Sequence, residues 1–148
     1  MTSLMKNKLS PVLLMAMISF MTLPCQSRAH SVNTGNEPDT LVILWTSDDP
    51  YTAERVAFMY THAAKTAGWF DEVFLVIWGP SAKLISENTA LQKKLSLMME
   101  DGVKVQACIA CANSYGVTEK LKELGYEVKG MGKPLTGHLK SGAKVLTF

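Results

Sequence analysis

Two uninterrupted apolar runs constrain this chain more than any other feature. Leu41-Val42-Ile43-Leu44-Trp45 and Val73-Phe74-Leu75-Val76-Ile77-Trp78 are too short for helices and rich in β-forming side chains. A strand without a polar face must be covered on both sides, which a parallel sheet flanked by helices provides. The segment between the runs has helical character. A polar turn, Ser47-Asp48-Asp49-Pro50, leads into a stretch from Thr52 in which Val56, Met59, Tyr60 and Ala63 recur at helical spacing and form the expected inward face. Gly68 stands where a C-cap belongs.

The same cycle continues. Gly79-Pro80 stops the second strand, and Ser81 to Glu87 and Thr89 to Glu100 form one broken helix or two, with Leu91, Leu95, Met98 and Met99 inward. Val103, Val105 and Ala107 alternate as a third strand that runs into Cys108-Ile109-Ala110-Cys111 and a short helix to about Tyr115. Thr118 is the expected cap of a helix that carries Leu121 and Leu124 and ends at Gly125. Tyr126 to Met131 reads as a fourth strand, Leu135 to Lys140 as a short helix, and Lys144 to Phe148 as a closing strand. Five alternations predict a three-layer α/β/α sandwich around a mostly parallel five-stranded sheet, formed by one domain over residues 40–148. A chain of 148 residues with 47% apolar content is long enough to bury such a core.

The first 29 residues read as an address. Lys6 and Lys8 precede an apolar run from Val12 to Leu23, and no acidic residue occurs before Glu37. That run has the length of a signal-peptide core, roughly 7–15 residues, and falls short of a bilayer span. Ser27-Arg28-Ala29 offers small residues for cleavage after Ala29, and residues 30–39 form a flexible lead-in. Two rival readings are a lipoprotein anchored through Cys25, against which Pro24 argues, and an uncleaved anchor. The expectation is an exported protein, periplasmic or secreted, without a stable membrane anchor. Loss of Lys6, Lys8 and Arg28 leaves 12 basic residues facing 13 acidic ones, so a nucleic-acid partner has no electrostatic basis.

Open parallel sheets bind ligands beyond the carboxyl ends of their strands. That rule selects Ser47 and Asp48 after the first strand, Ser81 after the second and Lys133 after the fourth as a substrate-binding rim, with His138 further along. Cys108 and Cys111 follow the third strand and are the catalytic candidates. A cysteine where a strand meets a helix is favoured as thiolate by the helix's unpaired N–H groups. Cys111, three positions on, lies within bridging reach. A lone C-x-x-C is too few ligands for a zinc site. Its bland alternative is a pair of buried packing residues or an inert disulfide. Asp48 and Asp49 are an acid/base pair or, more simply, a helix-leading turn. His62 reads as a surface residue of the first helix, and Trp45 and Trp78 as core or rim packing. Gly130-Met131-Gly132-Lys133 lacks the first glycine and the following Ser or Thr of a phosphate loop, and no G-x-G-x-x-G follows a strand, so no cofactor is implied.

The stretch from Gly102 through Cys108-Ile109-Ala110-Cys111 to Ala112 resembles the active-cysteine segment of the DsrE/DsrF-like proteins, including the TusD-type sulfur-relay subunits. Met131-Gly132-Lys133-Pro134-Leu135-Thr136 and the ending Lys144-Val145-Leu146-Thr147-Phe148 are similar to the C-terminus of small members, and the Thr46-Ser47-Asp48-Asp49 turn fits as well. The resemblance implies an α/β sandwich, assembly as a homo-oligomeric trimer or hexamer, and sulfane sulfur carried as a persulfide on the cysteine matching Cys108. Cys111 has no counterpart in the TusD-type pattern, although other DsrE-like proteins carry a second thiol. Relay members are cytoplasmic, whereas this chain reads as exported.

The expected function is therefore a sulfur carrier or sulfurtransferase that loads Cys108 and passes sulfur to an acceptor thiol. Its partners would be sulfur donor and acceptor proteins or small thiols. A C-x-x-C dithiol redox protein and a non-enzymatic oligomeric binding module are the alternatives.

Overall fold

A computed structural model describes residues 38–148; the leader, its cleavage site and nearly all of the lead-in lie outside them. The five strands are β1 (Thr40–Trp45), β2 (Glu72–Ile77), β3 (Lys104–Cys108), β4 (Glu127–Lys129) and β5 (Lys144–Thr147). They form one sheet in the order β4-β3-β2-β1-β5, with every pair parallel. The continuous apolar runs thus became inner strands, as their lack of a polar face requires.

Helix α1 runs from Pro50 to Thr66 in three parts: Pro50–Thr52, a π-helical stretch Ala53–Phe58, and Met59–Thr66. Asp49 caps it, its Oδ1 accepting the Thr52 N–H at 2.6 Å, with Pro50 fixing the first turn. It ends at Gly68, whose φ of 66° suits the left-handed exit from a helix. The buried face differs from the one expected. Ala53, Ala57, Phe58, Thr61 and Ala64 are buried, whereas Met59 is 62% exposed and Val56 39%. The π-helical turn widens the repeat and rotates the face, so a 3.6-residue spacing misreads it. Three alanines let this helix approach the sheet, and Phe58 packs edge-on against Trp45 with ring centroids 5.0 Å apart.

The remaining helices are α2 (Ser81–Glu87), α3 (Thr89–Glu100), α4 (Ile109–Ser114), α5 (Thr118–Glu123) and α6 (Gly132–Lys140). Asn88 separates α2 from α3 and caps α3 by accepting from the N–H groups of Ala90 and Leu91. Thr118 is not the cap of α5. Val117 holds that position, and the Thr118 hydroxyl bonds to the Asn113 Oδ1 instead.

The layers are unequal. Side chains of α1 to α5 share one core with Leu41, Ile43, Trp45, Leu75, Ile77 and Val105. The opposite face carries Val42, Phe74, Val76 and Cys108, and is packed by Met131 and by Leu135 of α6. The connections explain this. β1 to β4 follow one another across the sheet, so right-handed crossovers put all their helices on one side. The chain then returns from the β4 edge to the β5 edge, and α6 crosses the other face. Fully burying a branched or aromatic side chain such as Leu75 or Ile85 contributes about 1.5–3 kcal/mol. No helix among the described residues is long and apolar enough to cross a membrane.

Candidate functional site

Cys108 is the last residue of β3 and the N-cap of α4, with extended backbone angles (φ −72°, ψ 113°). Strand alternation turns Val105 and Ala107 toward the larger core and Gln106 and Cys108 toward the α6 side. Cys108 is 5% exposed. Its thiol makes no capping bond, so the helix end does not engage it in the way its position predicts. Both cysteines are free thiols.

Cys111 lies one turn into α4, half-buried and packed between the two cores. Burial pushes its thiol up, the Gly79 backbone N–H pulls it down, and the adjacent Cys108 thiol pushes it further up. The loop N–H that reaches a cysteine therefore comes from the end of β2. Gly79 presents it with φ 70°, a conformation that favours glycine.

The rim residues separate into different roles. Ser81 is fully buried; its hydroxyl donates to the Trp45 carbonyl at 2.7 Å and accepts the Trp78 N–H at 3.0 Å. It joins the ends of β1 and β2 rather than facing a substrate. Ser47 accepts the Asp49 N–H at 3.0 Å in a local turn. Asp48 does face open space. With Pro80, Lys83, Leu84, Glu87 and Tyr115 it lines a cavity of about 410 Å³. Neither cysteine lines it; of its lining residues, Pro80 follows Gly79 in the chain and Tyr115 ends the helix that carries Cys111.

Lys133 is exposed in the first turn of α6. His138 stands away from the cysteines. Its ring packs on Phe74 at 4.7 Å, and Phe74 lies opposite Lys104, four residues before Cys108. Burial lowers the His138 pKa, with Glu72 opposing and the Lys129 charge adding to the shift. His62 pairs with Asp101 at 2.6 Å on the outer helices. A larger cavity, about 500 Å³, opens between α1 and α3 beside Met59 and Leu97; none of the expected site residues lines it.

The residue that pattern reading missed is Lys129. It is the β4 partner of Cys108 in the parallel register, on the same face of the sheet. Its Nζ donates to Glu127 Oε1 at 2.7 Å, and Glu127 Oε2 accepts from Gln106 Nε2 at 2.8 Å. Gln106 is 6% exposed, and its Oε1 has no partner among the described residues. The Glu-Val-Lys alternation of β4 signals that Glu127 and Lys129 share a face, but only strand order and register put that face beside Cys108.

Comparison with known proteins places this α/β sheet with its strand-end cysteine in a class. The DsrE/DsrF-like family profile matches residues 40–148, and the chain belongs to that family, which is associated with sulfur relay. Among solved structures it is similar to a conserved protein of unknown function from Bacteroides thetaiotaomicron, at 36% identity and a TM-score of 0.71. That match covers 74% of this chain and 95% of the other. No curated protein matches the sequence.

Proposed function

We propose that this chain is a sulfur carrier that operates outside the cytoplasm, after loss of its first 29 residues, and holds sulfane sulfur on Cys108. The observation that carries this reading is the position of Cys108: buried at the carboxyl end of β3, uncommitted to the helix cap, with a second thiol beside it. A buried sulfur is shielded from water and stray oxidants, which suits storage of a labile group. Membership of a sulfur-relay family supports the same assignment.

In the loading step the Cys108 thiolate attacks the outer sulfur of a donor persulfide. A bond forms to Cys108 Sγ, the donor S–S bond breaks, and the donor leaves as its thiol. In transfer, an acceptor thiolate attacks the outer sulfur of the Cys108 persulfide, and Cys108 leaves as thiolate. Cys111 offers a second exit. Its thiolate attacks Cys108 Sγ, hydrosulfide leaves, and a Cys108–Cys111 disulfide remains for an external dithiol reductant to reopen. The 410 Å³ cavity lined by Pro80 and Tyr115 is the approach we assign to a small donor or acceptor thiol. Homo-oligomeric assembly, as a trimer or hexamer, follows the family pattern.

Intact-mass spectrometry of reduced protein after exposure to polysulfide tests the reading, with Cys108→Ala and Cys111→Ala in parallel. A gain of one sulfur that disappears in Cys108→Ala and lasts longer in Cys111→Ala is the expected result. Loss of two hydrogens in wild type with no sulfur gained by either variant overturns it in favour of a dithiol redox protein. No mass change in any of the three leaves a binding module.

A further inference from the structure

We infer that Lys129 is the counter-charge of the sulfur anion on Cys108, released to it from Glu127, which the buried amide of Gln106 holds one strand pair away. The inference rests on the reading of Cys108 as the sulfur-bearing cysteine and adds to it the group that sets its charge.

Adjacent strands lie about 4.8 Å apart, and residues paired in a parallel register point to the same side. Lys129 is thus the lateral neighbour of Cys108 on β4, and Trp78, just past the end of β2, packs against the cluster that contains Cys108. A lysine stem is longer than that gap, so the ammonium can stand at the cysteine sulfur or at a second sulfur bound to it. In the structure it is tied to Glu127, one pair back along the strand. Glu127 in turn is fixed by the buried amide of Gln106, the residue two before Cys108 on the same face. A buried glutamine with one carbonyl acceptor unused is a costly way to hold a surface carboxylate. The chain Gln106–Glu127–Lys129 makes sense as a support that parks a cation one strand pair from Cys108.

The other charged groups of this face stand farther off or carry the wrong sign. Lys104 lies on β3 four residues before Cys108, pairs with Glu72 and sits over the Phe74 ring. His138 of α6 packs on the same phenylalanine, Lys133 is exposed at the start of α6, and the Cys111 thiol of α4 disfavours a neighbouring negative charge. Lys129 is the cation that the register puts next to Cys108. It is also about one-third exposed, so a persulfide that withdraws it from Glu127 can be approached from solvent.

The test is the pH profile of iodoacetamide alkylation of Cys108, read on the Cys108 peptide by mass spectrometry in the full chain carrying Cys111→Ala. Lys129→Gln should move the midpoint up by about one unit, roughly tenfold fewer thiolates at neutral pH. Lys129→Arg should keep the wild-type midpoint, Glu127→Gln should lower it, and Lys104→Gln should leave it unmoved. Thermal melts of each variant identify any that fails to fold. A Lys129→Gln profile that superimposes on wild type overturns the inference. So does a Lys104→Gln shift as large, which would mean a diffuse field, or a Lys129→Arg shift as large, which would mean lost packing. No sulfur donor enters this experiment. A shifted profile in a protein that gains no sulfur sinks the carrier reading alone, and an unmoved profile in one that does sinks Lys129 alone.

Discussion

The Ser81 hydroxyl donates to the Trp45 carbonyl across the top of the sheet, 2.7 Å away, and so ties the first turn of α2 to the end of β1. The same oxygen accepts the Trp78 N–H. One buried side chain thereby fixes the spacing of the β1 and β2 ends and the start of the loop that touches Cys111. Ser81→Ala keeps the volume but leaves these groups short of a partner, and should cost about 1–2 kcal/mol of stability. Urea unfolding measures it. An unchanged midpoint would mean that Trp78 N–H to Trp45 O, at 3.0 Å, suffices alone.

Gly79→Ala isolates backbone conformation. A Cβ at this position meets no atom within 4 Å, so the cost is the left-handed φ of 70°, about 1–2 kcal/mol. If the loop relaxes to avoid it, the N–H turns away from Cys111, and the Cys111 thiol should rise further. Alkylation of Cys111 across pH, in a Cys108→Ala background, follows both effects. A variant of full stability with an unmoved Cys111 profile would show that neither φ nor the N–H matters there.

Cys111 itself should respond to its neighbour. Burial is the first cause of its raised pKa, and the Cys108 thiol adds to it. Cys108→Ala should therefore lower the Cys111 midpoint while leaving it above that of an ordinary cysteine. The linkage sign follows. The folded pKa is raised, so the contribution of this thiol to stability is full below the usual thiol range and fades as pH rises through the folded value. Denaturation at increasing alkaline pH, with Cys111→Ala as the reference, measures that loss.

His138 gives the opposite dependence. Burial against Phe74 lowers its pKa below the ordinary histidine value of 6.5, so the unfolded chain takes up the proton more readily. Its contribution is full above that value and is lost as pH falls through the folded pKa. His138→Gln should flatten the fall in stability between neutral and mildly acidic pH. An equally steep fall in the variant would place the dependence elsewhere.

Much of this architecture can be read from residue patterns, and its limits have physical causes. Leu41–Trp45 and Val73–Trp78 announce themselves because a strand covered on both faces leaves no polar position. Gly68 and Gly125 mark helix ends through the backbone freedom those exits need. The inward face of α1 was misread because a π-helical turn breaks the 3.6-residue period, and Met59 emerged exposed. Ser81 looked like a rim residue because it follows a strand; its burial depends on a carbonyl 36 positions away. Cys108 was legible from its place between strand and helix. Lys129 was not, since its neighbourhood exists only once β4 takes the edge position beside β3.

The return of the chain from the β4 edge to the β5 edge also orders the folding reaction. Each of the first three strand pairings joins segments separated by a short crossover, whereas β5 pairs with β1 across roughly a hundred intervening positions (Leu41 with Lys144). Thr46 fastens this last seam by donating its N–H and hydroxyl to the Phe148 carbonyl, at 2.7 and 2.8 Å. Loop closure of that span is rewarded only after β1 to β4 supply a surface to dock on. Because α6 lies within the returning segment, the cover over Cys108 arrives in the same late step. A nascent or partly folded chain therefore leaves the Cys108 thiol uncovered until the final strand is seated.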